Sequence, residues 1–178
     1  LIVGAAARLM PQKGLEHMVK AAAEPEFRDK NVKFVIAGDG PLKKDLLQRA
    51  EELNATSSFA ILGFISEIRE FYRSIDIFAM PSLKEGFSNA LVEAMACGRP
   101  VIYTEKGPGP ELIADGVDGL LCDPESAVSI YTAMQSVLDN SDMAKRLGEN
   151  ALKKVNNKFS YLKIISENIM NPDDYSIS

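Results

Sequence analysis

The sequence has few of the residues on which redox, metal and covalent chemistry usually depend. Its 178 residues include two cysteines, one histidine and no tryptophan. Cys97 and Cys122 are too few for a disulfide scaffold, so they indicate reduced thiols and a cytoplasmic setting. The single histidine, His17, excludes a histidine pair that binds metal. Its predicted helical position is poor for a Ser-His-Asp triad, so we predict a packing or surface role.

The sequence also lacks features that are typical of proteins that bind nucleic acids, span membranes or bind divalent metals. The net charge is −5, which argues against a general nucleic-acid-binding protein. No apolar run approaches the roughly 20 residues of a membrane span, and no signal peptide is visible. The sequence has neither an Asp-x-Asp pair for a divalent metal nor a G-x-x-x-x-G-K-[ST] phosphate loop. We therefore predict a site without metal.

Apolar segments of β type alternate with helical patterns along the chain. We predict strands near 1–6, 32–37, 59–62, 76–80, 100–103 and 119–121, and helices near 14–24, 41–53, 66–74, 89–97, 109–114, 126–138, 141–156 and 159–169. Short apolar strands separated by helices are typical of a parallel sheet covered on both faces. The pattern predicts an α/β domain over residues 1–170, a Rossmann-like three-layer sheet, with a disordered tail at 171–178.

The segment 81–101 contains the most informative of the predicted strand-to-helix loops. Ligands of such sheets bind beyond the carboxyl ends of the strands, where this loop lies. Ser88 or Asn89 can cap the helix that follows, and Gly98 can close it. From Ala90 to Cys97 that helix is apolar or small except for Glu93, which is typical of a buried helix.

Two carboxylates flank the start of this helix. Glu93 has no basic partner at i+3 or i+4, and a buried carboxylate is costly unless it is hydrogen-bonded. It either reaches the rim or a basic residue from elsewhere, or it faces a ligand rich in hydroxyls. Glu85 lies in the loop and alternatively forms a capping box with Ser82. Because helix N-termini attract anions and carboxylates bind sugar hydroxyls, the combination predicts a ligand with phosphate between sugars.

The loop after the first predicted strand carries two cations, Arg8 and Lys13. Both lie on the expected ligand edge of the sheet. The alternative is that they are solvated loop charges. Arginine suits bidentate contact with phosphate oxygens and lysine adds a point charge, so this pair favours an anion site.

The segment from Glu85 to Val101, EGFSNALVEAMACGRPV, resembles the E-x7-E signature of retaining GT-B-fold glycosyltransferases. This is glycosyltransferase family 4, the glycosyl transferases group 1. The two glutamates, the Gly-Phe pair and the EAMA-x-G-x-PV run carry the resemblance. The Arg8-Leu-x-x-x-Lys13-Gly14 segment and the Gly-x-Gly-Pro turn at 38–41 extend it.

The resemblance implies the C-terminal, donor-binding half of a GT-B fold, with an N-terminal acceptor domain absent from this chain. It implies a metal-independent retaining hexosyltransferase that uses a UDP- or GDP-sugar donor and no further cofactor. The expected acceptor is a glycan or a lipid-linked sugar, at the cytoplasmic face of the membrane. Asn89 is a recurrent variant in enzymes of bacterial cell-surface polysaccharide or lipopolysaccharide synthesis. We expect the isolated domain to bind donor weakly and to transfer nothing.

The resemblance also assigns roles to individual residues. Arg8 and Lys13 bind the diphosphate and stabilise it as it leaves, while Glu85 lies beside the transferred sugar; these three are the expected catalytic residues. Glu93 binds the ribose hydroxyls. The backbone of Gly86, Phe87, Ser88, Asn89 and Ala90 holds phosphate and sugar oxygens. The base is expected near Phe64 and Ile65, with core packing as the alternative for Phe64.

Two other functions stay open. One is a GT-B relative of different chemistry, such as a sugar-nucleotide epimerase or a phosphorylase, although no lysine environment for pyridoxal phosphate is visible. The other is a non-catalytic assembly domain, against which the intact charged residues argue. The C-terminal quarter is locally basic, through Lys145, Arg146, Lys153, Lys154, Lys158 and Lys163. These cations predict a solvated face or, alternatively, a contact with anionic membrane lipid.

Overall fold

The computed structural model describes residues 1–158. The strands are β1 (Ile2–Ala6), β2 (Lys33–Ala37), β3 (Phe59–Gly63), β4 (Ile77–Met80), β5 (Val101–Thr104) and β6 (Leu120–Cys122). The helices are α1 (Glu16–Ala23), α2 (Pro25–Asp29), α3 (Lys43–Glu52), α4 (Ile68–Ser74), α5 (Asn89–Ala96), α6 (Gly109–Leu112), α7 (Ala127–Leu138) and α8 (Ser141–Lys158). The predicted helix 159–169, Lys163, the domain limit at 170 and the tail 171–178 lie outside the described residues.

The six strands form one parallel sheet in the order β3-β2-β1-β4-β5-β6. The chain builds outward from β1 to β3, then returns to the other side of β1 with β4. Because the direction of winding reverses there, the loops after β1 and β4 leave the sheet on either side of a crevice. This topological switch point places the predicted cation loop beside the predicted carboxylate loop.

Helices cover both faces of the sheet, which confirms the predicted three-layer α/β fold. On one face, Val3, Phe34 and Ile36 pack under α1, α3 and α7. On the other face, Phe78 and Tyr103 pack under α4, α5 and α8. Alternate residues of each strand pack into different hydrophobic cores, because successive side chains of a strand point to opposite faces of the sheet.

The structure adds a short helix, α2, that the sequence pattern did not predict. Glu24 is extended, and Pro25 restarts the helix at its first turn, where proline needs no N–H partner. Phe27 anchors this turn in an edge-on contact with Phe34, with ring centroids 5.4 Å apart. Five residues are too few to show a helical period, so tertiary packing decides this element.

The start of α5 agrees with the predicted capping, and its end agrees with the predicted stop. Ser88 is the N-cap, since its hydroxyl accepts a hydrogen bond from the Leu91 amide at 3.3 Å. Gly98 adopts a left-handed φ of 68°, and its amide donates to the Met95 carbonyl at 2.9 Å. This arrangement closes the helix with a residue that tolerates positive φ.

Helix α8 is held to the body of the domain by an ion pair that the sequence did not predict. Lys154 Nζ lies 2.7 Å from Asp118 Oδ2, and the two side chains are only 13% and 8% exposed. The second oxygen of Asp118 accepts a hydrogen bond from the Ala114 amide at 2.9 Å. The prediction of a solvated Lys154 is therefore wrong. Lys145, Arg146 and Lys153 are exposed, in agreement with a solvated face.

Replacing Asp118 with alanine should lower the free energy of unfolding by about 3 kcal/mol, because it leaves the Lys154 ammonium buried without its partner. Asp139 is the matched control. It pairs with Lys30, but those side chains are 55% and 40% exposed, so Asp139→Ala should cost less than about 1 kcal/mol. Urea unfolding of both variants measures the difference. Equal losses would show that the burial of the Asp118 pair carries no extra stability.

None of the helices in residues 1–158 combines the length and the apolar character that crossing a membrane would require.

Candidate functional site

The loops after β1 and β4 contact each other directly at the switch point. The amides of Leu83 and Lys84 donate to the Gln12 carbonyl at 2.9 and 3.3 Å. Gly14 has a left-handed φ of 63°, and a Cβ there would collide with the Pro81 carbonyl oxygen. This close approach requires glycine, and it holds the two loops together at the switch point.

Lys13 and Glu85, predicted for different parts of one ligand, form an ion pair between these two loops. Lys13 Nζ lies 2.9 Å from Glu85 Oε1 and 2.6 Å from Oε2. The Ser82 hydroxyl also donates to Glu85 Oε2 at 3.1 Å. The two charged side chains are 19% and 9% exposed, so the alternative of a solvated Lys13 is wrong. Ser82 and Glu85 do meet, but they cap no helix, which excludes the capping box.

The pair lines an open cleft of about 630 Å³. Its lining comes from both loops: Gln12, Lys13, Lys84, Glu85 and Gly86. Gly86 has no positive φ, and a Cβ there would meet no atom within 4 Å. Neither backbone conformation nor packing therefore requires a glycine here. Its bare backbone faces the space that a ligand in the cleft would occupy.

The N-terminus of α5 lies at the end of the β4 loop. The first amides of a helix have no intrahelical acceptor. The Ser88 hydroxyl satisfies the amide of Leu91, which leaves the amides of Asn89 and Ala90 for an acceptor outside the helix. Phe87, just before the cap, is half exposed. The predicted backbone segment therefore presents donors at the crevice, as an anion site needs.

Arg8 follows β1 on the same edge of the sheet. Its side chain is exposed, and it forms no ion pair within residues 1–158. The next residue, Leu9, is held to the β2 loop, since its amide donates to the Asp39 carbonyl at 3.0 Å. The backbone that carries Arg8 is thus anchored while its guanidinium is free to meet an anion.

Glu93 has a partner that the sequence did not reveal. The hydroxyl of Tyr72, on α4, donates to Glu93 Oε2 at 2.8 Å. Tyr72 is almost fully buried, and burial together with the Glu93 carboxylate raises the pKa of its hydroxyl. The hydroxyl therefore stays protonated as a donor. Glu93 itself is half-buried, which agrees with the alternative of a place at the rim. Within residues 1–158 it forms no ion pair with a basic side chain, and Tyr72 contacts only one of its carboxylate oxygens.

Phe64 and Ile65 lie in the loop after β3, on the same edge of the sheet. Phe64 is 84% exposed, so the alternative of core packing is wrong for this ring. Ile65 is half-buried against the α4 and α5 side of the core. An exposed aromatic beside an anchored aliphatic side chain forms an apolar ledge that a flat ring can stack on.

His17 lies within the core side of α1, as a packing residue would. It is 7% exposed, and its Nδ1 has no hydrogen-bond partner among residues 1–158. Burial, with the nearby Lys20 charge, lowers the pKa of His17, so the imidazole is neutral at neutral pH. Within the same residues, no three His, Cys, Asp or Glu side chains converge on a point that could hold a metal ion.

Comparison with known proteins agrees with this geometry. Residues 1–154 match the family model of glycosyl transferases group 1. Among curated proteins, the chain is 34% identical over 167 residues to the uncharacterized glycosyltransferase MJ1178 of Methanocaldococcus jannaschii. That alignment covers 93% of this chain and 45% of the relative. The chain thus spans about half the length of the curated relatives it matches.

Two solved structures share the fold closely. The C-terminal domain of the group 1 glycosyl transferase LpcC from Francisella tularensis matches with a TM-score of 0.81 at 28% identity, over 89% of this chain and 85% of that one. Alr3699/HepE from Anabaena, in complex with UDP-glucose, matches with a TM-score of 0.82 at 26% identity, over 95% of this chain and 48% of that one. The sheet order is that of the C-terminal half of a GT-B fold, and the chain belongs to the glycosyl transferases group 1 family.

Proposed function

We propose that this chain is the donor-binding half of a retaining, metal-independent hexosyltransferase that takes its sugar from a nucleoside-diphosphate sugar. One observation carries the proposal. At the switch point of the sheet, Lys13 and Glu85 line one cleft, while Arg8, on the same loop as Lys13, and the N-terminus of α5, the helix that carries Glu93, lie at the same edge of the sheet. That set of groups matches a ligand with a charged centre and hydroxyls on both sides.

The spacing along α5 fits such a ligand. Glu93 is four residues beyond Asn89, which starts the helix, so it lies about 6 Å along the axis from the free amides. A phosphate at the helix N-terminus therefore places an attached ribose near Glu93. The free carboxylate oxygen accepts the ribose hydroxyls, while Tyr72 holds the other oxygen. An apolar ledge at Phe64 and Ile65 then receives the base.

The Lys13–Glu85 ion pair lies in part of the proposed diphosphate site. A diphosphate offers Lys13 more negative charge than one carboxylate does, so we expect Lys13 to move to the ligand. Glu85 then becomes available to the hydroxyls of the transferred sugar or to the positive charge that develops as the sugar leaves.

Protein charges alone suffice for the leaving group in this proposal. Arg8, Lys13 and the helix N-terminus together supply roughly two and a half positive charges. A unit charge pair about 4 Å apart is worth about 1 kcal/mol in water and about 4 kcal/mol at an effective dielectric of 20. Closure of a partner domain over the cleft would raise their effect by excluding water.

The whole protein's acceptor and surroundings are part of the proposal. We place the acceptor, a glycan or a lipid-linked sugar of bacterial cell-surface polysaccharide or lipopolysaccharide synthesis, on an N-terminal domain outside this chain, so that residues 1–170 alone transfer nothing. Both cysteines are free thiols, which fits a cytoplasmic location. The exposed cations of α8, Lys145, Arg146 and Lys153, offer a positive face for peripheral contact with anionic lipid.

Calorimetric titration of this domain without metal, in the presence of EDTA, tests the donor site. UDP, GDP, ADP and their sugars are compared, and we expect one nucleotide to bind while the others do not. The complex of Alr3699/HepE with UDP-glucose supports a nucleotide-sugar donor, and UDP and GDP are our two candidates. Absence of binding by every nucleotide, in this domain and in the full-length protein, would overturn the proposal.

The same titration separates the other two functions. An assembly domain should bind no nucleotide, and its stability alone should respond to changes in the cleft. An epimerase should convert its nucleotide sugar without an acceptor, whereas a phosphorylase should transfer a sugar from a glycan only to inorganic phosphate; product analysis of the full-length protein detects either reaction. A retaining transferase should release the nucleoside diphosphate only when acceptor is present, and its product should keep the α configuration of the donor.

A further inference from the structure

Tyr72 carries a buried hydroxyl whose acceptor is the Glu93 carboxylate. The hydroxyl donates to Glu93 Oε2 at 2.8 Å, and Tyr72 as a whole is 1% exposed. Its ring makes edge-on contacts with Phe71 and Phe78, with ring centroids 5.7 and 5.9 Å apart. Because Phe78 is a fully buried residue of β4, these contacts fix the hydroxyl relative to the sheet.

Packing alone does not account for this pair. A phenylalanine at position 72 would keep the same ring contacts without a buried hydroxyl that needs an acceptor. An apolar residue at position 93 would match the other residues of α5, all of which are apolar or small after Asn89. Replacing both partners of a hydrogen bond with apolar groups is often nearly neutral for stability. The pair therefore points to a role for the Glu93 carboxylate that stability does not require.

The hydrogen bond restricts a side chain that would otherwise have several rotamers. Glu93 is only half-buried, and within residues 1–158 no cation pairs with it. With Oε2 held by Tyr72, the other carboxylate oxygen has a defined direction. A ligand that meets a carboxylate already ordered in this way loses less side-chain entropy on binding.

The same hydrogen bond joins two parts of the proposed site. Tyr72 lies on α4, which follows the loop of Phe64 and Ile65, whereas Glu93 lies on α5. Ile65 packs against the core cluster that contains the Tyr72 ring. Removing the hydroxyl while keeping the ring should therefore release the Glu93 carboxylate and leave the apolar ledge in place.

We propose that Tyr72 is a positioning residue that holds Glu93 in the orientation that accepts the ribose hydroxyls, and that it thereby sets the preference of the site for ribose over deoxyribose. The inference rests on the proposed function, in which Glu93 binds the ribose of a nucleoside diphosphate. Tyr72 itself is buried and does not contact the ligand. It acts through the Glu93 carboxylate.

Titration of the full-length protein with two ligands tests the role in binding. The ligands are the nucleoside diphosphate that the native protein binds and its 2′,3′-dideoxy analogue. Tyr72→Phe should weaken binding of the ribonucleotide about three- to tenfold, the effect expected when one long side chain must be ordered on binding. The dideoxy analogue offers Glu93 no hydroxyl, so its affinity should not change. Tyr131→Phe, on α7 at the opposite face of the sheet, is the control and should change neither affinity.

Thermal unfolding without ligand tests the hydrogen bond by itself. Tyr72→Phe should lower the unfolding midpoint by about 2–4 °C, because it removes a hydrogen bond to a charged group. In a Glu93→Ala background the hydroxyl has already lost its acceptor. The same change should then leave the midpoint unchanged or raise it by about 2–4 °C, since it removes an unsatisfied buried hydroxyl.

The two measurements separate the possible outcomes. Equal losses of affinity for the ribonucleotide and its dideoxy analogue would show a general structural effect, and an unchanged affinity for the ribonucleotide would show no effect on binding. Either result would overturn the role of Tyr72, as would equal midpoint shifts in the two backgrounds. If the native protein binds no nucleotide, the proposed function fails and the ribose role fails with it, while the thermal cycle still tests the hydrogen bond between Tyr72 and Glu93.

Discussion

Glu93→Ala should weaken nucleotide binding by about 100-fold or more while leaving the fold intact. The carboxylate is proposed to accept hydrogen bonds from two ribose hydroxyls, and bonds to a charged group are worth about 1.5–3 kcal/mol each. Removing both hydrogen bonds corresponds to a loss of at least two orders of magnitude in nucleotide affinity. Calorimetric titration with the nucleotide that binds the native protein measures it.

Two further variants separate binding from stability in this experiment. Glu93→Ala also leaves the buried Tyr72 hydroxyl without an acceptor, which should lower the free energy of unfolding by about 1–3 kcal/mol. Glu93→Gln keeps an acceptor for Tyr72, so it should be more stable than Glu93→Ala and still bind poorly. Glu70→Ala, at an exposed glutamate of α4, should change neither property. If a folded Glu93→Ala protein bound the nucleotide as tightly as the native protein does, the proposal that Glu93 binds the ribose hydroxyls would be wrong.

The combined change Arg8→Ala and Lys13→Ala should weaken binding of the nucleoside diphosphate by about 1,000-fold. Both charges are proposed to contact the diphosphate, and a closed cleft strengthens each contact relative to water. The parent nucleoside should bind this variant as it binds the native protein. The affinity of the native protein for the nucleoside diphosphate should also fall as salt is added, because salt screens the charges of Arg8 and Lys13. The affinity of the double variant, which lacks both charges, should hardly change with salt.

Lys44→Ala is the matched control for charge alone. Lys44 is an exposed lysine of α3. Its replacement also makes the net charge more negative, but it removes no side chain that lines the cleft. It should leave affinity within about twofold. Because Lys13→Ala also leaves Glu85 without its cation, the unfolding midpoint must be recorded with each titration. Equal losses for the nucleoside and its diphosphate would show that these cations do not contact the phosphates.

Most of the fold could be predicted because each element has its own local signal. The predicted strands agree with the observed ones to within one residue at either end, and the helices of the described residues to within two. Continuous apolar runs mark strands that are buried on both faces, and glycine, proline and serine mark the ends of elements such as α5. α2 was missed because it is five residues long and owes its place to Phe27 in the core.

The candidate site was predicted as a set of residues but not as a set of contacts. Glu85, Lys13, Arg8 and the N-terminus of α5 do share one edge of the sheet. Their direct neighbours were not visible in the sequence. Tyr72 lies on a different helix from Glu93, and Lys13 lies 72 positions before Glu85, so no spacing rule connects either pair. The likeness to the group 1 signature identified the residues without revealing these partners.

The sequence by itself determined the class of fold, the order of its elements and the residue types available for chemistry, because periodicity, capping and charge are local properties of the chain. Only the tertiary structure decided which charges are paired and which are free. It paired Lys13 with Glu85, placed the Tyr72 hydroxyl on Glu93 and buried Lys154 against Asp118. Such contacts depend on how distant segments pack, and packing depends on the whole sheet closing around two cores.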